Sequence, residues 1–297
     1  MRVTQGMLTS NSLRNLSKSY SQMGKIQDQL STGKKITKPS DDPVVAMKGM
    51  FYRSNLTEVE QYKRNLSELY SWLENSESGI EQANNGLQRI RELTVQGANG
   101  TLSPEDQKAI ANEIQQIKLD IASVAETKVS GRYIFHGTDV DKSPIVANTT
   151  PIKVADNLND ASINNYQVEV SQGVYLKANV NPSNVFNQKM FDTIQALEDA
   201  LTTGDQSSLD NLLTGLDNVM ETLSAERSEL GARYNRLELI DSRLSNQEIV
   251  STRILSDNED VDMERAITDL KTQESVHRAA LSASARIIQP TLLDFLR

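Results

Sequence analysis

Residues 30–46 read LSTGKKITKPSDDPVVA, and this stretch decides the fold. Gly33 ends a run of apolar residues at helical spacing, and Pro39 holds the chain extended. Asp42-Pro43 then supplies an N-cap followed by proline at the first helical position. A basic turn of Lys34, Lys35 and Lys38 stands beside an acidic helix start at Asp41 and Asp42. The stretch holds no nucleophile, metal cluster or phosphate loop and reads as a joint between two coiled elements.

Before the joint, Leu13, Leu16, Tyr20, Met23 and Leu30 keep a/d spacing, with Gln27 in the seam and Ile26 beside it. After it, a helix is predicted from about Pro43 to Gln96, with Tyr62, Leu66, Leu69, Leu73, Ile80, Leu87 and Ile90 in its seam. Gly97 and Gly100 close that helix. Ser103-Pro-Glu-Asp106 is a capping box that opens the next, whose stripe is Ile110, Ile114, Ile117, Ile121 and Val124.

The period changes after Gly131. Tyr133-Ile-Phe135 is a short β-type run ended by Gly137. Tyr166, Val168 and Val170 alternate, SQG follows, and Val174, Leu176, Ala178 and Val180 alternate again, which is a hairpin signal. Residues 136–183 therefore read as a small β-rich insert with an irregular stretch, 147–165, inside it. Helix returns near Asn184 with Phe186, Met190, Ile194, Leu197 and Leu201, and stops at Gly204. Heptads follow at Leu209, Leu213, Leu216, Met220, Leu223, Leu230, Tyr234, Leu237 and Leu244, with Arg227 and Asp241 intruding in the seam.

SDNEDVD, 256–262, is expected to start the last helix, where acids suit the N-terminal dipole. That helix places Met263, Ile267, Leu270, His277, Leu281 and Ile288 on one face, and Pro290 should break or kink it. Both terminal stripes are narrow, and helices of this kind are marginal alone in water. The predicted fold is mainly α, an elongated helical coiled-coil rod made from both chain halves, with the small β-rich insert at its tip.

Composition agrees. Of 297 residues, 37% are hydrophobic, only 5% are aromatic and one is Trp, which suits amphipathic helices better than a sheet-based enzyme. A net charge of −9 disfavours nucleic acid, and the basic start lacks interleaved aromatics. Up to position 40 the ionic residues are Arg2, Arg14, Lys18, Lys25, Lys34, Lys35 and Lys38 against Asp28 alone, a pattern that also fits a transit peptide. With no cysteine, disulfides, thiolate catalysis and zinc-thiolate sites are excluded. No apolar run of about 18 residues occurs, so no membrane insertion is expected. No signal-type apolar segment follows Met1, so an exported chain is expected to use another route.

Catalytic patterns fail on inspection. Ser31-Thr-Gly-Lys34 fits S-x-x-K and Ser256-Asp-Asn258 fits S-D-N, but Lys271-Thr272 is followed by Gln273 where glycine is required. Gly24 is too far from Gly33-Lys34 for a Walker loop, and Asp257–Asp262 lacks the glycine of a calcium-binding turn. His136 and His277 lie far apart, with His277 read as a seam residue. No catalytic residue, metal site or cofactor is called for.

LSTGKKITKPSDDPVVA resembles the N-terminal signature of the bacterial flagellin family. GRYIFHGT, 131–138, resembles the segment by which family members leave their helical body, and residues 257–297 resemble the C-terminal helix. MRVTQGML, KPSDDP and the ending LLDFLR are similar to the family's hook–filament junction branch, whereas filament flagellins more often carry an Ala-Lys-Asp-Asp-Ala-Ala-Gly joint. The resemblance implies five segments: 1–35 and 259–297 as halves of an inner helical domain, 36–135 and 184–258 as the shaft, and 136–183 as an outer insert. It implies an assembly interface on Leu13, Leu16, Tyr20, Met23, Leu30, Met263, Ile267, Leu270, Leu281 and Ile288, with Lys35, Lys38, Asp41 and Asp42 at the joint. Implied partners are further copies in a ring, the neighbouring hook-associated junction protein, flagellin, an export chaperone and the type III export apparatus. A short filament flagellin is the nearest alternative, a serine acyl-transferase using Ser31 and Lys34 is the alternative from another class, and a coiled-coil secreted effector is a third.

Overall fold

A computed structural model describes residues 5–98, 102–146, 151–159 and 166–288. They fall into two compact units, one built from the chain's ends (up to Glu58 and from Gln247) and one spanning Val59–Asn246. Helices α1 (Gln5–Thr32), α2 (Pro43–Gly97) and α3 (Pro104–Ala125) come first. Short strands follow as antiparallel pairs: β1 (Lys128–Val129) with β2 (Arg132–Tyr133), β3 (Ile145–Val146) with β4 (Lys153–Val154), and β5 (Gln167–Ser171) with β6 (Val174–Lys177). Helices α4 (Pro182–Val185), α5 (Gln188–Thr203), α6 (Gln206–Glu259) and α7 (Met263–Ile288) complete the chain. The mainly helical class with small central hairpins is as the sequence predicts.

In the Val59–Asn246 unit the heptads close on one another. Leu66, Leu69, Leu73, Ile80, Leu87 and Ile90 of α2 join Leu209, Leu216, Leu223, Leu230, Leu237 and Leu244 of α6 in one buried cluster. Each such side chain contributes about 1.5–3 kcal/mol on burial. The Ser103 hydroxyl accepts from the Asp106 N–H at 3.2 Å, and the Asp106 carboxylate accepts from the Ser103 N–H at 3.3 Å, so α3 starts at its capping box. Phe135 lies edge-on to Phe186 at 4.8 Å between ring centroids. Gly79 admits that ring, since a Cβ there would lie 2.6 Å from Phe135.

Several expectations are corrected. The helix expected from Asn184 is two pieces, because Asn187 caps a fresh start by accepting from the Met190 N–H at 2.8 Å. The 147–165 stretch holds β4 and a 3₁₀ turn at Asp156–Asn159 among its described residues. Arg227 does not enter the seam: it pairs with Glu77 at 2.7 Å on the rim. Glu226 is buried instead, accepting from the Asn181 N–H at 2.8 Å and from Asn184 Nδ2 at 3.1 Å. SDNEDVD does not start α7, since Ser256–Glu259 form the last turn of α6 and only Asp262 caps α7, accepting from the Arg265 N–H at 3.1 Å. Pro290 lies outside the described residues.

Candidate assembly interface

In the unit formed by the chain ends, α1 packs against α7. The seam between them is small and polar. Ser19 and Ala266 are buried, Gln273 Nε2 donates to the Ser19 hydroxyl at 3.0 Å, and His277 Nδ1 lies 3.3 Å from the same oxygen. Leu16, Met23, Leu30 and Leu270 are half-buried along it. The larger side chains of the expected stripe stay outside: Leu13 is 56% exposed, Tyr20 67%, and Met263, Ile267 and Leu281 more than 40%. The Ile288 side chain lies outside the described residues.

The split follows the heptad itself. Positions 12, 19, 26 and 266, 273, 280 take the inner track at seven-residue spacing. Leu13 and Tyr20 follow positions 12 and 19 by one residue, about 100° round the helix, and stay exposed, with the Tyr20 ring 6.1 Å from that of His277. Hydrophobicity alone misses Ser19, Ala266 and Gln273, although their seven-residue spacing was a signal. Near the ends of the pair Leu13, Leu16 and Leu281 with Ser12, Ser284 and Ala285 line an apolar hollow of about 220 Å³.

The joint is pinned by the far end of the chain. Lys34 bridges to Asp260 in antiparallel fashion; the Lys35 N–H donates to the Glu259 carbonyl at 2.6 Å, and the Val261 N–H to the Gly33 carbonyl at 2.9 Å. Gly33 allows this turn with φ +69°. Lys34 Nζ reaches Asp260 at 2.6 Å, and the enclosed Glu259 carboxylate takes Arg53 at 2.6 Å. Gly49 gives it room, for a Cβ there would lie 2.4 Å from Glu259 Oε1. Hydrogen bonding to Asp260 raises the Lys34 pKa, and Lys34 followed by Ser256 holds the Asp260 carboxyl below its ordinary value.

The residues expected to face one another across the joint are partly separated. Lys35 Nζ donates to the Asp257 carbonyl. Asp41 accepts from Lys25 at 3.2 Å and from the Lys38 N–H at 3.1 Å; Lys25 foremost, then Lys38, lowers its pKa. Asp42 caps α2, accepting from the Val44 and Val45 N–H groups at 3.0 and 3.1 Å. The acids that answer Lys34, chiefly Asp260 and Glu259, were missed because they lie more than 220 residues away in sequence.

The arrangement offers mechanical rather than catalytic chemistry. Lys34, held protonated by two carboxylates, is no general base for Ser31. His136 is a structural residue, buried with Nδ1 2.8 Å from the Lys142 carbonyl and Nε2 2.9 Å from Asn157 Oδ1. Among the described residues no group of three or more His, Asp or Glu side chains could hold a metal ion, and no helix is long and apolar enough to cross a membrane.

Comparisons with known proteins agree with this architecture. Residues 3–139 match the profile of the bacterial flagellin N-terminal helical region, and residues 213–296 that of the bacterial flagellin C-terminal helical region. Flagellar hook-associated protein 3 of Escherichia coli K12 is 26% identical over 95% of this chain and 96% of its own. Among solved structures, a putative flagellar hook-associated protein from Vibrio parahaemolyticus superposes with a TM-score of 0.66 at 22% identity, covering 74% of this chain and all of the other. The flagellar junction protein FlgL from Legionella pneumophila gives 0.56 at 17% identity, covering 71% and 99%.

Proposed function

We propose a junction role on one premise: this chain belongs to the bacterial flagellin family, in the branch of hook-associated protein 3. It is a structural component of the flagellum and not an enzyme. In the proposed role it joins the hook-side junction protein to the flagellin filament, as a ring of identical subunits outside the cell. The supporting observation is the inverted terminal pair. Its seam holds Ser19, Gln273 and His277, whereas Leu13, Tyr20, Met263, Ile267 and Leu281 all remain more than 40% exposed.

The physical consequence is coupled folding. A helix pair sealed by a few polar contacts lacks the apolar burial that offsets chain entropy, so its order is completed when neighbouring subunits cover the outer faces. The half-buried residues Leu16, Met23, Leu30 and Leu270 serve both the pair and its neighbours. Lys35, Lys38, Asp41 and Asp42 keep the joint in register while this happens. Weak terminal helices also suit a chain threaded unfolded through the type III export apparatus with a chaperone's help, a route for which removal of residues 1–30 should abolish secretion.

Seeded growth tests the role. Added to hook-terminated seeds carrying the neighbouring junction protein, the chain should add a limited amount and then support flagellin elongation. Unlimited growth of filaments from this chain alone would identify a filament flagellin instead.

A further inference from the structure

In the unit formed by the chain ends, the first turns of α2 and the last turns of α6 each turn an apolar strip away from their mutual contact. Gly49 of α2 faces Glu259 of α6 so closely that a Cβ there would collide with its carboxylate, so these two positions mark the sides on which the helices meet. At about 100° per residue, Val44, Met47 and Phe51 fall within about 40° of the direction opposite Gly49. By the same geometry Val250, Ile254 and Asp257 fall within about 40° of the direction opposite Glu259. The surface agrees: Val44, Met47 and Phe51 are more than half exposed, and Val250, Ile254 and Asp257 are exposed as well.

The two strips match in direction and in charge. The last turn of α6 meets the first turn of α2, where Asn258 Nδ2 donates to the Val45 carbonyl at 3.1 Å, so one helix arrives as the other leaves and they run antiparallel. Rotation about an axis along these helices sets the α2 of one copy beside the α6 of the next, again antiparallel. Lys48 flanks the α2 strip and Asp257 ends the α6 strip. The Asp257 carbonyl takes Lys35, but neither its carboxylate nor the Lys48 ammonium has an ion-pair partner among the described residues. With Lys48 set against Asp257, Phe51 comes beside Ile254, and Met47 and Val250 lie a turn to either side.

We propose that the α2 strip of one subunit seats on the α6 strip of a second copy, with Lys48 paired to Asp257. The α2 strip is an apolar ridge of roughly 300 Å², well short of the about 800 Å² per partner that a stable pair buries. Two copies alone therefore hold weakly, whereas in a ring every copy makes the contact twice. The contact joins unlike patches, so it is heterologous and runs on around a ring rather than ending at a dimer. It names the side-by-side surface of the proposed ring and rests on that reading.

The absence of cysteine makes the test clean. Lys48→Cys and Asp257→Cys are made in separate full-length chains, mixed in equal amounts, added to hook-terminated seeds carrying the neighbouring junction protein, and treated with a short bis-maleimide. The expected product is a mixed dimer joining the two variants, with little of either homodimer. Met47→Glu or Phe51→Glu, carried on the Lys48→Cys chain, should lower its yield at least about fivefold. Phe51→Leu should leave the yield within about twofold, and the monomer's thermal midpoint should move little in all three. If Lys48→Cys couples chiefly to itself, α2 strips meet one another and the pairing is overturned. Chains that add to the seeds without giving the mixed dimer, or a mixed dimer indifferent to Phe51→Glu, overturn the inference while the junction reading stands. Chains that do not add to the seeds at all overturn that reading, and the inference with it.

Discussion

Between Val59 and Asn246 the heptad leucines of α6 are buried in one cluster with those of α2, whereas in the unit made of the chain ends Leu13, Tyr20, Met47, Met50, Phe51 and Ile249 all stand exposed. Among described residues, Ala266 is the only buried apolar side chain in the end unit. Both parts use the same seven-residue grammar. What differs is the content of the inner track: leucine at 209, 216, 223, 230, 237 and 244, but serine, alanine and glutamine at 19, 266 and 273. A repeat sets where two helices touch, and the residues on the inner track set whether that touch suffices alone.

The largest expected break is Leu223→Ala. Leu223 is fully enclosed, so its truncation should cost about 2–5 kcal/mol of unfolding free energy, seen as a lower urea midpoint. Leu13→Ala, by contrast, should change monomer stability by less than about 0.5 kcal/mol while weakening assembly. Equal costs at the two positions would erase the distinction between the units.

Overpacking is next. Gly79→Leu drives a side chain into the Phe135 ring and should destabilise by about 1–3 kcal/mol. Gly231→Ala, where space is open, should stabilise the monomer by up to about 1 kcal/mol, read as a raised thermal midpoint. The smallest effect is the pH dependence of the joint. Asp260 has its pKa depressed, so its contribution is present above the ordinary carboxylate range and lost as pH falls through its folded value. Lys34 has its pKa raised, so its contribution is present below the ordinary lysine range and lost as pH rises through its folded value. The Lys34–Asp260 link should thus hold between roughly pH 4 and pH 10. Its half-exposed partners limit it to about 1 kcal/mol or less, and Asp260→Asn should remove the acid limb of an NMR titration of the joint.

Much of this was legible in the residues. Asp42-Pro43, the Ser103 capping box, the 166–180 alternation and the α6 heptads all place elements where the structure has them, because caps and periodicities are local. The joint's true partners were not legible, since nothing near Lys34 in sequence points to Glu259 or Asp260. Nor was the break at Asn187, where an apolar stripe running through Phe186 and Met190 hides a cap. The terminal seam was half legible: the spacing marked two helices that pair, and a hydrophobicity pattern could not show that Ser19 and Ala266 would be buried while Leu13 and Tyr20 stay exposed.

The central claim is that the terminal pair is incomplete until neighbours cover it. Amide hydrogen exchange on the monomer and on the assembled ring tests this most directly. The expected result is slow exchange across α3, α5 and the 59–246 parts of α2 and α6 in both states, with α1 and α7 exchanging rapidly in the monomer and protected only in the ring. Strong protection of α1 and α7 in the dilute monomer, unchanged on assembly, would contradict it.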